Sequence, residues 1–488
     1  MNERTSPSVE SRAASTRRTF FKTSAMAAAG IGLSPRSWAQ VRGANDDVRF
    51  GVVGFRGRGR SHITDILAVK GARIVALCDV DQTVLDAEAQ KLKDLGHTVK
   101  TYTDVRQMLE DTGIDAISTA TPNHWHAPIT IWACQAGKDV YVEKPVSHNI
   151  WEGQQMIEAA RKHRRIVQSG TQSRSHSGIQ LAVAWVHAGN LGKITLARGL
   201  CYKRRPSIGK VTGPQAVPAH INYDLWIGPA PMEPLMRKEL HYDWHWVWET
   251  GNGDLGNQGI HHMDIARWFL GEKDLAPHVF SIGGRVGYLD DGATPNTQFI
   301  HHAYAAAPLI FEVRGLPAKA GREPMDSLLG VSVGNVIHCE HGFLLLSVDG
   351  SIAAYDQSGR GVRIFTGTYQ NHHANFVKAI RSRQASDLTA DIREGHISSS
   401  LCHVANISHR IGQQASQAEI RERIKGNHDT TDAYERMLAH LDANGVDTRN
   451  DKLILGEALS LDPQTQRFVD NDRANALQKR ACRAPFHF

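Results

Sequence analysis

Thr121-Pro122-Asn123-His124-Trp125-His126, followed shortly by Ala136-Gly137-Lys138-Asp139-Val140-Tyr141-Val142-Glu143-Lys144-Pro145, is the stretch on which the fold turns. An apolar strand, Ala116 to Ala120, ends in a polar turn. A helix follows and stops at Gly137, and a second apolar strand, Val140 to Val142, delivers Glu143 and Lys144 to its carboxyl end. In an open parallel sheet, that edge is where ligands bind.

Upstream, Val48 to Val53 reads as a further buried parallel strand. It runs into Gly54-Phe55-Arg56-Gly57-Arg58-Gly59, which opens a helix through His62, Ile63, Ile66 and Leu67. Such a turn leaves backbone N–H groups free and aims a helix dipole at a pyrophosphate. Arg56 stands where G-x-G-x-x-G has its second glycine, so the turn alone is weak evidence. Ile74 to Leu77 forms the next strand and ends at Asp79, a carboxylate placed to accept from both hydroxyls of an adenosine ribose. No basic residue follows Asp79 to welcome a 2′-phosphate, which favours NAD; Arg56 and Arg58 lie near enough to keep NADP open. Gln82 to Leu95 reads as a helix capped by Asp81 and closed by Gly96, with a short strand near Val99 and a helix from Asp104 to Glu110. Strands alternating with helices predict an α/β class, a doubly wound parallel sheet over residues 46–169.

The alternation ends after Val167, where Gly170-Thr171-Gln172-Ser173-Arg174 begins a different region. A helix from Gly178 to His187 leads through Gly189-Asn190-Leu191-Gly192 into a strand from Ile194 to Tyr202. Short strands follow at Val279 to Val286, Phe299 to Tyr304, Leu309 to Val313, Val336 to Cys339 and Phe343 to Ser347, so residues 170–412 read as an α+β domain with a largely antiparallel sheet. Helices are expected at His372 to Arg381 and Ile392 to Ile411. A C-terminal extension, 413–488, carries helices near Glu419 to Lys425 and Thr431 to Ala443 and reads as an arm docked on the body or on a neighbour, which leaves a homo-oligomer open.

Gly54 to Gly59, Asp79, Thr121-Pro122-Asn123 with His126, and Glu143-Lys144-Pro145 together resemble the Gfo/Idh/MocA family of glucose-fructose oxidoreductase, inositol dehydrogenase and the rhizopine catabolism protein. The resemblance implies a Rossmann domain holding NAD(P) through those residues. It also implies an open sheet, helix-covered on one face, that receives substrate against the nicotinamide. His261, in Gly259-Ile260-His261-His262-Met263-Asp264, matches the family histidine that relays the proton of the substrate hydroxyl. The family's dehydrogenases commonly carry an aspartate four residues earlier. Here that position is Asn257, which cannot make imidazole more basic, so Asp254 or Asp264 is left to supply a carboxylate. Lys144, at the end of a core strand beside a positive nicotinamide, is expected to have a lowered pKa and to exchange a proton with the substrate. The candidate catalytic set is Lys144, His261 and Asn257.

Trp244, Trp246 and Trp248 alternate and would share one face of a strand, suited to the C–H surface of a pyranose ring or to a domain core. Lys203, just after a strand, with Arg174, Trp244, Trp246 and His262, completes the candidate substrate contacts. Histidine pairs at His301-His302 and His372-His373 show no metal-ligand spacing, and no metal is expected.

The first forty residues carry Thr16-Arg17-Arg18-Thr19-Phe20-Phe21-Lys22, a weakly apolar run from Thr23 to Leu33, and small residues at Ser37 and Ala39. That order reads as a twin-arginine signal peptide over residues 1–39, which makes the twin-arginine translocation machinery a partner and the periplasm the destination. Export of an already folded chain suits a protein that must trap a cytoplasmic nucleotide. The six scattered cysteines form no C-x-x-C pair, the +6 charge is mixed in sign and offers no case for nucleic acid, and no later apolar run is long enough to span a bilayer. The expected activity is NAD(P)-dependent oxidation of a secondary hydroxyl on a sugar, polyol or glycoside, with the cofactor tightly held. The alternative is a glycosidase or lyase using transient oxidation and elimination, and a third reading is a nucleotide-bound protein without turnover.

Overall fold

The computed structural model describes residues 46–449 and 453–488; the expected export signal lies outside them. Strand β1 (Val48–Val53), helix α1 (Arg58–Leu67), β2 (Ala72–Cys78), α2 (Gln82–Asp94), β3 (Lys100–Tyr102), α3 (Val105–Leu109), β4 (Ala116–Thr119), α4 (His126–Gln135), β5 (Asp139–Val142), α5 (Ile150–Lys162) and β6 (Val167–Ser169) build the first layer structure. Its six strands are parallel in the order β3-β2-β1-β4-β5-β6. This is the dinucleotide-fold order, with the crevice at the point where it reverses, between β1 and β4. Local chemistry places the helix starts: Asp81 accepts from the Thr83 and Val84 N–H groups, Asp104 from Arg106 N–H, and Asn149 from Glu152 N–H. Val53, Ala76, Ile117, Val140 and Val142 meet Ile129, Ala133 and Met156 in one core, which is why these strands read as nearly unbroken apolar runs.

The second layer structure comprises α6 (Ser177–His187), β7 (Ile194–Tyr202), α7 (Tyr223–Ile227), α8 (Ile260–Leu270), β8 (His278–Gly284), β9 (Thr297–His302), β10 (Leu309–Arg314), β11 (Val333–Cys339), β12 (Gly342–Ser347), β13 (Ile352–Asp356) and β14 (Gly361–Ile364). It continues with α9 (His372–Ser382), α10 (Ile392–Ile411), β15 (Gln413–Ala415), α11 (Gln417–Ile424), α12 (His428–Ala443), β16 (Leu453–Leu455), β17 (Leu459–Ser460) and α13 (Asp472–Ala476). The sheet runs β14-β13-β12-β11-β7-β10-β9-β8-β16-β15, with β17 also on β8; β7 and β10 pair in parallel and the other neighbours are antiparallel.

Period-two alternation sorts β10 between two cores. Leu309, Phe311 and Val313 face α6, α8 and α10, where Met263, Phe269 and Leu401 pack. Ile310 faces the other way, with Leu196 and Phe299, onto Ile420, Tyr434, Met437 and Leu441 of α11 and α12. The sheet is therefore helix-covered on both faces, and the extension beyond 412 supplies the second cover. Glu312 on that face is almost fully buried. It accepts from Arg436 at 2.6 and 2.7 Å, from Arg198 at 3.1 Å and from the Tyr202 hydroxyl at 2.7 Å. Burial works against its charge, but the Arg436 hydrogen bonds and charge outweigh it and hold the carboxyl below its usual range.

Glu312→Ala removes the buried acceptor shared by Arg198 and Arg436, leaving each with Asp432, and should lower stability by about 1–3 kcal/mol, read as a fall in the denaturant midpoint at neutral pH. Because the folded-state pKa is depressed, this contribution is present above the ordinary carboxylate range and is lost as acid protonates Glu312, so the gap between wild type and variant should narrow on acidification.

Candidate functional site

A cavity of about 450 Å3 opens along the carboxyl edge of the parallel sheet. The glycine-rich turn forms one end. Gly54 (φ +71°) and Gly57 (φ +48°) adopt backbone that side chains resist, and a Cβ on Gly59 would lie 2.1 Å from the Gly54 carbonyl oxygen. The Gly59 and Arg60 N–H groups donate at 3.2 Å to the Arg56 and Gly57 carbonyls. Gly57 caps α1 without a side chain, so no side-chain oxygen sits on the first-turn N–H groups, and Gly57 and Arg58 line the cavity. That is the provision an anionic pyrophosphate requires. Asp79 lines the same cavity, its carboxylate accepting from Phe55 N–H at 3.2 Å and Asp81 N–H at 3.0 Å. Burial pushes its pKa up to about 6, against the pull of these two N–H groups. Arg56 and Arg58 are both engaged: Arg56 with Asp81 at 2.7 Å and Arg58 with Glu143 at 2.9 Å. The residues present thus fit a dinucleotide with a free ribose diol.

Thr121, Pro122, Asn123 and His126 continue the wall. Asn123 donates to Asn252 at 2.9 Å, and the His126 ring spans the carbonyls of Pro145 (2.7 Å) and Thr121 (2.8 Å), tying the β4 turn to the end of β5. Glu143 accepts on one oxygen from Arg58, His62 (3.1 Å) and Gln172 (2.7 Å), and on the other from Lys144 N–H at 3.1 Å. Burial opposes its charge, yet the His62 hydrogen bond and the Arg58 charge keep the carboxyl well below its usual range. Lys144 reaches into the cavity and donates to the Asn257 carbonyl at 2.6 Å. Burial lowers its pKa, and Glu143 restores part of the shift.

Asn257 sits in a π-turn, Leu255–Gly259, that runs straight into α8, and its side chain approaches the Tyr242 hydroxyl at 3.5 Å. His261, one turn on, lines a second cavity of about 480 Å3, while Lys144 and Asn257 line the first; Arg58 borders both. Burial, followed by the Lys144 charge, drives the His261 pKa well below 6.5, so its ring is neutral. Neither carboxylate expected to serve it is available. Asp254 is held by Arg205 at 2.6 and 2.9 Å, and Asp264 by Arg174 at 2.8 and 2.9 Å and by Ser398 at 2.7 Å.

The expected substrate contacts are dispersed. Arg174 is buried in its pair with Asp264 and borders neither cavity. Lys203 is exposed and reaches Gln258 at 3.1 Å. His262 lines the second cavity but bonds Asn335 at 3.1 Å. The expected tryptophan strand is a 3-10 turn, Asp243–Trp246, so the three rings share no strand face. Trp244 stacks on His245 at 3.6 Å and lines the first cavity, whereas Trp246 is buried beside Arg205. The stretch from His241 to Trp248 reads from sequence as the densest in candidate chemistry, yet that reading gives roles to the tryptophans and none to His241, Tyr242 or His245, which line the cavity; outside it, sequence reasoning passes over Thr103 to Val105, Leu225 and Trp226. The β3 end was signalled by the strand order itself; Leu225 and Trp226 carried no signal, because they arrive from a long excursion between β7 and α8. Tyr242 has φ +67°, a costly backbone for a non-glycine residue, at the cavity wall.

Two family models match the chain: "Oxidoreductase family, NAD-binding Rossmann fold" over residues 48–171 and "Oxidoreductase family, C-terminal alpha/beta domain" over 185–309, together about half of it. A glycosyl hydrolase family 109 protein of Saccharopolyspora erythraea is 30% identical over 206 residues, which cover 38% of this chain and 45% of that protein. The match thus spans under half of that relative's length. The WlbA dehydrogenase of Bordetella pertussis, solved with NADH and UDP-GlcNAcA, superposes with a TM-score of 0.54 at 20% identity, covering 73% of this chain and 94% of that one. Levoglucosan dehydrogenase in complex with NADH gives 0.56 at 17% identity, covering 73% and 95%. At these identities the two structures establish a shared fold.

Only ionised Asp79 can accept from both ribose hydroxyls. NAD affinity of nucleotide-stripped protein, measured by calorimetry, should therefore fall as pH drops through about 6, and Asp79→Asn should bind weakly with a flattened profile. A wild-type affinity constant from about pH 8 to about pH 5 would reject the assignment.

Proposed function

The chain belongs to the Gfo/Idh/MocA oxidoreductase family, and from that premise we propose that it oxidises a secondary hydroxyl of a sugar, polyol or glycoside with a tightly held NAD, NADP being the less favoured cofactor. The observation that carries this reading is one cavity lined continuously by the uncapped α1 turn, Asp79, the Thr121–Asn123 turn and Lys144. A nicotinamide dinucleotide bound there supplies the hydride acceptor. Gly54 to Gly59 would hold its pyrophosphate and Asp79 its adenosine ribose, with Thr121 to Asn123, His126 and Glu143 at the other end.

Lys144 is the proton acceptor in this scheme. Its pKa is lowered by burial, and the Asn257 carbonyl fixes the side chain so that the nitrogen stays on the cavity wall. His261 is neutral and can accept or donate a hydrogen bond to the same substrate from the neighbouring cavity. Asn257 acts through its backbone in orienting Lys144, a role indifferent to the missing aspartate charge. The twin-arginine pattern at Arg17-Arg18 supports export of the folded, nucleotide-loaded chain to the periplasm. With no free nucleotide pool outside, the cofactor would be recycled within the catalytic cycle or by a second sugar.

A second reading, glycosidic cleavage through transient oxidation and elimination, is favoured by the likeness to a glycosyl hydrolase family 109 protein. Oxidation beside a C–H bond acidifies it, the leaving group departs, and the hydride returns after water adds. Net redox change separates the two readings: the first needs an acceptor and the second releases an alcohol with none.

Protein purified without added nucleotide and then denatured should release NAD(H) or NADP(H) in near-stoichiometric amount by mass spectrometry. Lys144→Ala should keep the nucleotide and lose turnover by about 100-fold or more. An empty protein that also fails to bind added nucleotide, or a fully active Lys144→Ala, would defeat the proposal.

A further inference from the structure

Residues 478–488 cross the parallel-sheet domain and fasten to groups that wall or adjoin the first cavity. Phe486 is the anchor. Its ring is fully buried, 5.5 Å from the Trp125 ring at 84° and 4.8 Å from the Arg106 guanidinium. Trp125 lines the cavity, and so does Val105 beside Arg106. Arg483 grips both ends of α7, donating to the Asp224 carboxylate at 2.8 Å and to the Asp224 and Gly228 carbonyls at 2.9 and 3.0 Å. Between those two points Leu225 and Trp226 line the cavity. Arg480 ties the start of the segment to the His124 carbonyl at 2.7 Å and to buried Glu152 at 2.8 Å, and the His487 carbonyl accepts from the Trp132 indole at 3.3 Å.

Helix α7 is held differently at its two ends. Before its first turn, Asn222 N–H donates to the Val80 carbonyl at 3.0 Å and Gln82 N–H to the His220 carbonyl at 2.9 Å, a backbone hinge on the end of β2. At its last turn the Trp226 carbonyl accepts from the Trp125 indole at 3.0 Å, and a Cβ on Gly228 would lie 2.2 Å from that ring. The far end of α7 thus rests on Trp125, which Phe486 buttresses. We propose that residues 478–488 are a strap that gates the nucleotide cavity: closed, it holds α7 against Trp125, and the dinucleotide enters or leaves only when Phe486 withdraws and Arg483 lets go of α7. The proposal rests on the oxidoreductase reading for the dinucleotide in that cavity. The two fastenings differ in strength. The Arg483–Asp224 pair is partly exposed, 22% and 57%, and pairs of that kind break readily. Phe486 must give up a fully buried aromatic surface, which keeps opening rare. Neither Arg480, Arg483 nor Phe486 lines the cavity, so the strap acts on the passage of the nucleotide and not through contact with it. Slow loss is what a cofactor recycled within one protein needs.

The test follows nucleotide exchange on the full chain and needs no substrate. Loaded protein is mixed with an excess of isotopically labelled NAD, or NADP where that is what it carries, and the bound fraction is denatured and read by mass spectrometry over time. Uptake is timed on stripped protein by tryptophan fluorescence. Phe486→Ala and Arg483→Ala should each release nucleotide about tenfold or more faster than wild type, uptake should quicken in step, and Kd should move by no more than about threefold. Phe486→Leu keeps an apolar plug and should fall between Phe486→Ala and wild type. Unfolding midpoints are measured on every sample, and Arg483→Ala, which alters a partly exposed side chain, carries the test if Phe486→Ala does not fold. Wild-type exchange rates in nucleotide-holding variants, or faster release with uptake unchanged, would overturn the gate and leave the oxidoreductase reading standing. A wild-type protein that holds no NAD or NADP and binds neither would overturn that reading, and the gate with it.

Discussion

The ionised Glu143 carboxylate is the constraint around which the site is organised. A buried carboxylate survives only with donors on it, and here they come from four places: the first turn of α1 through Arg58, its second turn through His62, the chain after β6 through Gln172, and the Lys144 backbone. The pairing draws the glycine-rich helix, the end of β5 and the start of the second domain onto one oxygen pair. Even Gly170 belongs to it, since a Cβ there would lie 2.9 Å from the Glu143 carboxyl. Arg58, once committed to Glu143, becomes the partition between the two cavities.

The nucleotide cavity is closed by chain that does not belong to the parallel sheet. The excursion after β7 pairs Gln82 N–H with the His220 carbonyl and Asn222 N–H with the Val80 carbonyl, bringing Leu225 and Trp226 of α7 to the cavity wall near the end of β2. The last residues then fasten it. Arg483 donates to Gly228 and Asp224 on the roof, while Phe486, fully buried, meets the Trp125 ring of the β4 turn at 5.5 Å. Arg480 bonds both His124 and Glu152. A roof held by its own C-terminus and a floor held by Glu143 suit a nucleotide that stays in place.

Much of this was legible before any coordinates. The β1 turn, Asp79 and the strand ends at Thr121 and Glu143 announce themselves because a parallel sheet repeats one local pattern, and because glycine and carboxylate positions there answer to backbone geometry and not to distant partners. Helix α10 was readable to the residue, Ile392 to Ile411, and β7 from Ile194 to Tyr202, since long periodic runs need no tertiary help. Strands β13 to β17 went unread: they are short, sit toward one edge or join through the extension, and Ile352-Ala-Ala-Tyr-Asp owes its extended form to pairing with β12. The tryptophan stretch misled because alternation alone does not distinguish a strand from a 3-10 turn, here the one that follows Tyr242 at φ +67°.

The sequence by itself determined the dinucleotide fold, its glycine turn, the carboxylate of Asp79 at the end of β2 and the placement of Lys144, for each follows from contacts among residues on neighbouring strand ends. Only the tertiary structure decided that Arg174 and Asp264 spend their charges on each other, that Asp254 belongs to Arg205, that His261 faces a cavity apart from Lys144, and that the second sheet face is sealed by α11 and α12. Those outcomes depend on which buried charge has a partner and which apolar face has a cover, and such pairings join residues far apart in the chain, where no local pattern in the sequence records them.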